Sequence, residues 1–338
     1  MKTRVRLLGA LFAVAALFPA ATLDGCTIFT LAKDGVVLVG NNEDWWNPKT
    51  RMWFVPAREG AFGVVYFGFD NLFHQGGMND RGLFFDANAL PQKKLPPSGL
   101  PRFKGDLIDH VMKTCSTVEE VVKAFAAHDA NAVLVRAQFH FADRNGDAVV
   151  IESAGPRRIS GAYLISTNFR VSEVKDGAWP CRRYRAADKI LSGAPAASPE
   201  VAVDALEATA TPVTQYSNVF DLVKRTVTVY HFHDFNTPVI IDLQAEMAKG
   251  AHVVELPALF PEKPEFTAYV SRPNPRKLDG TYTVRWRNGK LRQQIQYKNG
   301  VLHGTFKEWD REGVPVTEVE YVDGAAKAKG STSPKPPG

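Results

Sequence analysis

The dipeptide Asp34-Gly35, with Lys33, joins two β-rich runs, CTIFTLA (26–32) and VVLVG (36–40), and this arrangement constrains the fold more than any other feature of the sequence. Asp-Gly between alternating apolar runs marks a two-residue hairpin turn, because both central positions need positive φ. Pairing about that turn makes facing positions sum to 69, which sets Cys26 opposite Glu43 and beside Asn42 and Asp44. A cysteine at the far end of such a hairpin, close to two acids, can be a buried structural residue, a lipid attachment site or a nucleophile.

The residues before it narrow the choice. MKTRVR followed by LLGALFAVAALFPAA has the basic start, apolar run and small residues of an export signal, here residues 1–21. The apolar run is shorter than the ~20 residues needed to span a bilayer, and no later segment reads as a membrane span. Export to the periplasm or medium is the expectation, with residues 22–25 (TLDG) as a short propeptide. Leu23-Asp24-Gly25-Cys26 also resembles a lipid-attachment box with an awkward Asp24, so a lipid-anchored protein stays open as the alternative.

The formal charge of +5 includes three basic residues of the leader, so the remainder is nearly balanced and carries no basic stripe suited to nucleic acid. Three cysteines (26, 115 and 181) are an odd number for an exported chain. A Cys115–Cys181 pair would leave Cys26 free.

Further along, strands are expected at 62–69, 83–88, 137–142, 148–152 and 162–167, and helices within 105–128, at 181–191 and at 199–209. Ser116 or Thr117 should cap the second helix of the 105–128 segment, with Glu119 and Glu120 in its first turn. Strands return at 216–222 and 226–235. Hairpins outnumber βαβ units, which indicates an α+β fold with antiparallel sheets. Residues 26–255 read as one catalytic body, 256–280 as a proline-rich linker, and 325–338 as a disordered tail. In between, Gly289 and Gly313, and likewise Gly300 and Gly324, recur at a period of 24 within short aromatic strands (YTVRWRNGK, IQYKNGVLHG, FKEWDREG), so 281–324 is a hairpin-repeat module. It resembles MORN-like variant repeats, for which packing on the body and binding of a protein partner are both open.

The succession GCTIF, GNNEDW, GGMNDRGL, STNF, CRRYRAA and YSNVFDLVKRTVTVYHFHDF over residues 25–240 resembles the N-terminal-nucleophile (Ntn) hydrolases of the choloylglycine hydrolase and penicillin V acylase type, with the related penicillin acyltransferases. The resemblance implies a four-layer αββα sandwich. It also implies an enzyme that cleaves, or transfers the acyl group of, a linear N-acyl amide without metal or organic cofactor. Once Cys26 begins the chain its own α-amine, with a pKa near ~7.7–8, can serve as the base for its thiol.

By motif, Cys26 would be the nucleophile, Asp44 the carboxylate that orients it, Asn88 and Asn168 the oxyanion donors and Arg183 the active-site arginine. Asn41 stands where the family has an arginine after the glycine, so bile-salt hydrolysis does not follow. Trp45 would lie near the substrate. Two other readings remain. His231 and His233, alternating along a strand, could share a metal, although no third ligand is apparent. Homo-oligomerisation is also open.

Overall fold

The computed structural model describes residues 25–327. The leader, residues 22–24 of the propeptide and the tail from 328 onward lie outside the described residues. The hairpin forms as its turn dictates: β1 (Thr27–Lys33) pairs with β2 (Val36–Asp44) with facing positions summing to 69, from Thr27 opposite Asn42 to Lys33 opposite Val36. Asp34 and Gly35 have φ of 52° and 79°.

This hairpin is the middle of a six-stranded antiparallel sheet in the order β10 (Tyr163–Ser166), β1, β2, β11 (Thr214–Asp221), β12 (Thr226–His231), β13 (Asp234–Asp242). An eight-stranded antiparallel sheet faces it, in the order β14 (His252–Glu255), β3 (Thr50–Val55), β4 (Val64–Phe69), β5 (His74–Asn79), β6 (Phe84–Ala89), β7 (Ala137–Ala142), β8 (Ala148–Glu152), β9 (Gly155–Arg158). Between the sheets lies a core that includes Ile28, Val39, Phe67, Phe84, Val150 and Phe220.

Helices α1 (Leu107–Thr114) and α2 (Val118–Ala127) cover the outer face of the eight-stranded sheet through Val111, Val121 and Phe125, with the single-turn α3 (Asn131–Leu134) following. Helices α4 (Arg182–Ser192) and α5 (Pro199–Thr209) cover the outer face of the other sheet through Tyr184, Leu191 and Leu206. Two outer helical layers and three apolar clusters make a four-layer αββα sandwich, in which each sheet buries both faces. Local signals set the helix starts: Thr117 and Glu120 form a reciprocal capping box at α2, and Ser198 caps α5 ahead of Pro199.

Several sequence expectations change. The run TVTVYHFHDF is two strands rather than one, because Phe232 and His233 both turn at φ 49°, so His231 and His233 do not line up along one strand face. Among the described residues no group of three His, Cys, Asp or Glu side chains is placed to hold a metal ion. Cys115 and Cys181, whose pairing the sequence left open, are free and lie in or against different core clusters, on the outer sides of different sheets.

Residues 256–280, expected from their prolines to be a linker, hold a 3-10 turn and the helix α7 (Pro264–Val270), with Tyr269 only 3% exposed; the short helix α6 (Leu243–Met247) precedes them. No helix among the described residues is long and apolar enough to cross a membrane.

The C-terminal sheet runs β15 (Gly280–Arg285), β16 (Leu291–Lys298), β17 (Val301–Trp309), β18 (Pro315–Val322), β19 (Ala325–Ala326), the last taking up the first residues of the expected tail. It packs on the body. Phe306 and Ile295 join Phe232 and Tyr269 in a fourth core cluster, arginines of the sheet reach α5, and an arginine of α4 reaches the sheet. Arg311 bridges Asp204 at 2.7 Å and Glu207 at 2.6 Å, Arg287 pairs with the same two acids, and Arg182 pairs with Glu308. Arg292 is 2% exposed and donates to the carbonyls of Ala208, at 2.9 Å, and Ala210. Packing on the body, one of the two roles left open for the repeats, is therefore observed.

Glu207 is the buried acceptor that two arginines of the module share. Replacing it by alanine strands those donors and should cost about 1–3 kcal/mol of unfolding free energy. Denaturant titration measures this, and a Glu207→Ala midpoint equal to that of the wild type would show that the docking network does not stabilise the fold.

Candidate active site

Cys26 immediately precedes β1, 8% exposed, at the mouth of the space between the two sheets. The pairing of β1 with β2 places its thiol against the Glu43 carboxyl and the main-chain N–H of Asp44. Burial, followed by the nearby carboxyls of Glu43, Asp86 and Asp44, raises the thiol pKa well above its usual value.

Arg183 ties the rest of the site to this cysteine. It stands in the first turn of α4, 6% exposed, and its Nη1 donates to the Gly25 carbonyl, to the Cys26 carbonyl at 2.9 Å and to Thr27 Oγ1 at 3.0 Å. Its Nη2 donates to Asn168 Oδ1 at 2.9 Å, and Nη1 lies 3.9 Å from Asp44 Oδ2. Asp44 also accepts from Thr214 Oγ1. Asn88 Nδ2 donates to the Cys26 carbonyl at 3.1 Å, and Gln138 Nε2 contacts Asn88 Oδ1 at 3.3 Å.

The residues singled out from the sequence therefore converge, with distinct local roles. Cys26, Asp44, Asn88, Asn168 and Arg183 form one constellation. The amide of Asn88 is committed to the carbonyl of Cys26 itself, and that of Asn168 to the Ala89 carbonyl at 2.9 Å, so the donor on the Gly25 carbonyl is Arg183. Asn41 is fully buried on the inner face of β2, facing Glu43. Trp45 is 48% exposed and forms a tilted pair with Trp46, ring centroids 6.0 Å apart.

A cavity of about 790 Å³ opens onto this cluster, lined by Cys26, Glu43, Asp44, Trp45, Phe69 and Asn168 among others. Its size and mixed lining suit a small organic ligand.

Two acids were missed by the sequence reading. Glu43 and Asp86 are 3% and 2% exposed, and the pKa of each is raised. Burial is the main cause, then the Asp44 carboxyl for Glu43, which is held at about 8, and the Glu43 carboxyl for Asp86. Gly76 makes room for this pair, since a Cβ there would lie 2.2 Å from Asp86 Oδ2. Glu43 could have been found from the hairpin register, which put it opposite Cys26. Asp86 had no sequence signal, because only the stacking of the second sheet brings it close.

No histidine serves the thiol. His140 lies between the sheets, bonded to Thr30 Oγ1 at 2.8 Å and Ser166 Oγ at 3.0 Å, and burial keeps it neutral down to about 3.

Comparison with known families places this geometry. Residues 30–177 match the family model of acyl-coenzyme A:6-aminopenicillanic acid acyl-transferase, and residues 278–299 and 302–323 match MORN repeat variants. The first stretch is thus similar to an acyl-transferase family domain and the other two to MORN variant repeats. The matched stretch starts just after Cys26 and stops just before Arg183.

Among solved structures, conjugated bile acid hydrolase from Clostridium perfringens shares 15% identity at a TM-score of 0.51, covering 70% of this chain and 97% of that one. Penicillin V acylase from Agrobacterium tumefaciens shares 16% identity at a TM-score of 0.48, covering 68% and 91%. The first likeness shows a common fold. No curated protein matches the chain.

The buried carboxyls make stability depend on pH. Glu43 holds its proton to about 8 when folded, whereas the unfolded chain releases it near the ordinary carboxylate pKa. The folded state therefore binds more protons between roughly pH 4.5 and 8, and Glu43 destabilises increasingly as pH rises through that window. In a Cys26→Ala background, adding Glu43→Gln should stabilise the protein, with a gain that grows from pH 4.5 to 8. A gain independent of pH in thermal unfolding would contradict the protonated state assigned to Glu43.

Proposed function

We propose that this chain is an exported cysteine amidase that acts once Cys26 has become its first residue. The observation that carries this reading is the seat of Cys26. Its thiol lies buried at the floor of a ligand-sized cavity, while the carbonyl joined to its nitrogen is held by the Arg183 guanidinium. In the intact chain Gly25 lines that cavity, so removing it opens the place that a substrate acyl group would take.

In the mechanism that follows, the freed α-amine of Cys26 takes the thiol proton, held in position by Asp44, which Thr214 in turn fixes. The thiolate attacks the carbonyl carbon of a linear N-acyl amide. Charge collects on the carbonyl oxygen, and Arg183 is the donor best placed to hold it, a preorganised charge at the site. Asn168 orients that guanidinium and Asn88 fixes the Cys26 main chain.

The amine then protonates the leaving nitrogen, a thioester remains on Cys26, and water or a second amine resolves it. The leader at 1–21 supports export, and the acyl-transferase match and the bile acid hydrolase fold support amide chemistry. The aromatic wall of Trp45, Trp46 and Phe69 suits an apolar acyl chain. Burial of the thiol supports this reading over lipid attachment.

Cys26→Ala should abolish hydrolysis of a chromogenic N-acyl amide while leaving the unfolding transition cooperative; retained turnover would end the proposal. Arg183→Lys keeps a charge but loses the fork that reaches several oxygens, and kcat should fall about 10²–10³-fold. Wild-type kcat in that variant would exclude Arg183 from the oxyanion site.

A further inference from the structure

The inner face of the six-stranded sheet carries polar groups that the fold does not satisfy. Register sets Glu43 on β2 opposite Tyr216 on β11, and Asn41 opposite Asn218, so these four side chains share the face turned toward the other sheet. All four are buried. Glu43 Oε2, Tyr216 Oη and both amide ends of Asn41 and Asn218 have no hydrogen-bond partner among the described residues. Asp86 on β6 brings a second buried carboxyl to the same cluster, where its charge acts on Glu43-facing Tyr216 and on Cys26. Orphaned acceptors in such a place are costly unless a ligand supplies donors.

The charge of the cluster says which ligand. Neither carboxyl is paired with a lysine, arginine or histidine among the described residues, and Arg183 and the charge of Arg292 are directed to Asp44. An anionic ligand group would be repelled, and a hydroxyl would bring a single donor. An ammonium brings three donors and the missing positive charge, which matches the free acceptors Glu43 Oε2, Asn41 Oδ1 and Tyr216 Oη.

Position says where on the ligand that group sits. Glu43 lines the cavity, and its carboxyl lies against the Cys26 thiol. Sulfur bonds to the acyl carbon, so a substituent one or two bonds from that carbon comes within reach of Glu43 and stays there in the thioester. The geometry points to a substrate whose acyl part carries an ammonium group next to the scissile carbonyl, held by Glu43, Asn41 and Tyr216. This rests on the amidase reading and narrows it to aminoacyl amides whose apolar side chain lies along Trp45, Trp46 and Phe69.

The test compares phenylalanine p-nitroanilide, in both enantiomers, with 3-phenylpropionyl p-nitroanilide, which lacks only the amino group, on the mature chain that begins at Cys26. For the better enantiomer kcat/KM should exceed that of the des-amino compound at least about 100-fold, because a site built around a donor rejects the analogue without it. Glu43→Gln should remove most of that preference, and Asp86→Asn a smaller part. Binding is read separately on a mature Cys26→Ala chain, which turns over neither compound. The titratable groups facing Glu43 are Cys26 and Asp44 along the hairpin, Asp86 from β6 and Tyr216 from β11, none of them a cation, and the Cys26 amine is assigned to Asp44. An arriving ammonium therefore favours the ionised form of Glu43, which otherwise holds its proton to about 8. At about pH 6, calorimetry in buffers of different ionisation enthalpy should show roughly one proton released per amino compound bound, and none for the des-amino compound.

Equal kcat/KM for the pair, a preference that survives Glu43→Gln, or binding without proton release would overturn the inference, while the amidase reading stands on the turnover itself. Proton-linked binding to the Cys26→Ala chain, with neither compound hydrolysed by the wild type, would sink the amidase reading and leave the ammonium site in place.

Discussion

A guanidinium buried in the first turn of a helix is costly unless its donors find oxygens, and in this protein the oxygens that satisfy Arg183 belong to the active site. Gly25, Cys26, Thr27 and Asn168 all accept from it, and Asp44 lies within 4 Å. One side chain thus joins the beginning of β1, the end of β2, the segment after β10 and the helix α4. Without it the Cys26 carbonyl, Asn168 and Asp44 would each lose a contact, and no other described cation takes its place on the Gly25 carbonyl.

The setting of Arg183 extends beyond the sandwich. Its neighbour Arg182 points the other way, to Glu308 on β17, so α4 is gripped on one side by the catalytic cluster and on the other by the repeat module. Arg292, also from the module, holds the carbonyls at the end of α5, just ahead of the Thr211–Thr214 turn whose Thr214 hydroxyl reaches Asp44. From the other flank, Tyr269 and Arg272 donate to the Trp46 carbonyl at 3.1 Å and 2.8 Å and fix the aromatic wall of the cavity. The repeats and the proline-rich stretch before them therefore buttress the walls of the site.

Much of this was legible in the chain because local chemistry specified it. The Asp34-Gly35 turn set a register that no tertiary contact altered, and that register alone put Asp44 and Glu43 beside Cys26. The α5 limits followed from Ser198 and Pro199, and the α2 start from its capping box. What escaped depended on contacts remote in sequence. The break at Phe232 and His233 is a positive-φ turn at residue types that carry no turn signal. Helix α7 forms among prolines because Pro264 suits a first helical turn and Tyr269 finds a buried seat. Asp86 reaches Glu43 only across the gap between two sheets. The partners of the Asn88 and Asn168 amides could not be read from motif order, since each is a carbonyl that only the folded chain presents.

The central claim is that Cys26 forms a covalent acyl intermediate. The direct measurement mixes the mature chain with a slowly turned-over N-acyl amide, quenches in acid and reads the mass of the N-terminal peptide. A mass increase equal to the acyl group on the peptide that begins at Cys26, removed by hydroxylamine, is the result this account predicts. Turnover of the amide with that peptide unmodified, or an acyl group trapped on any other residue, would contradict it.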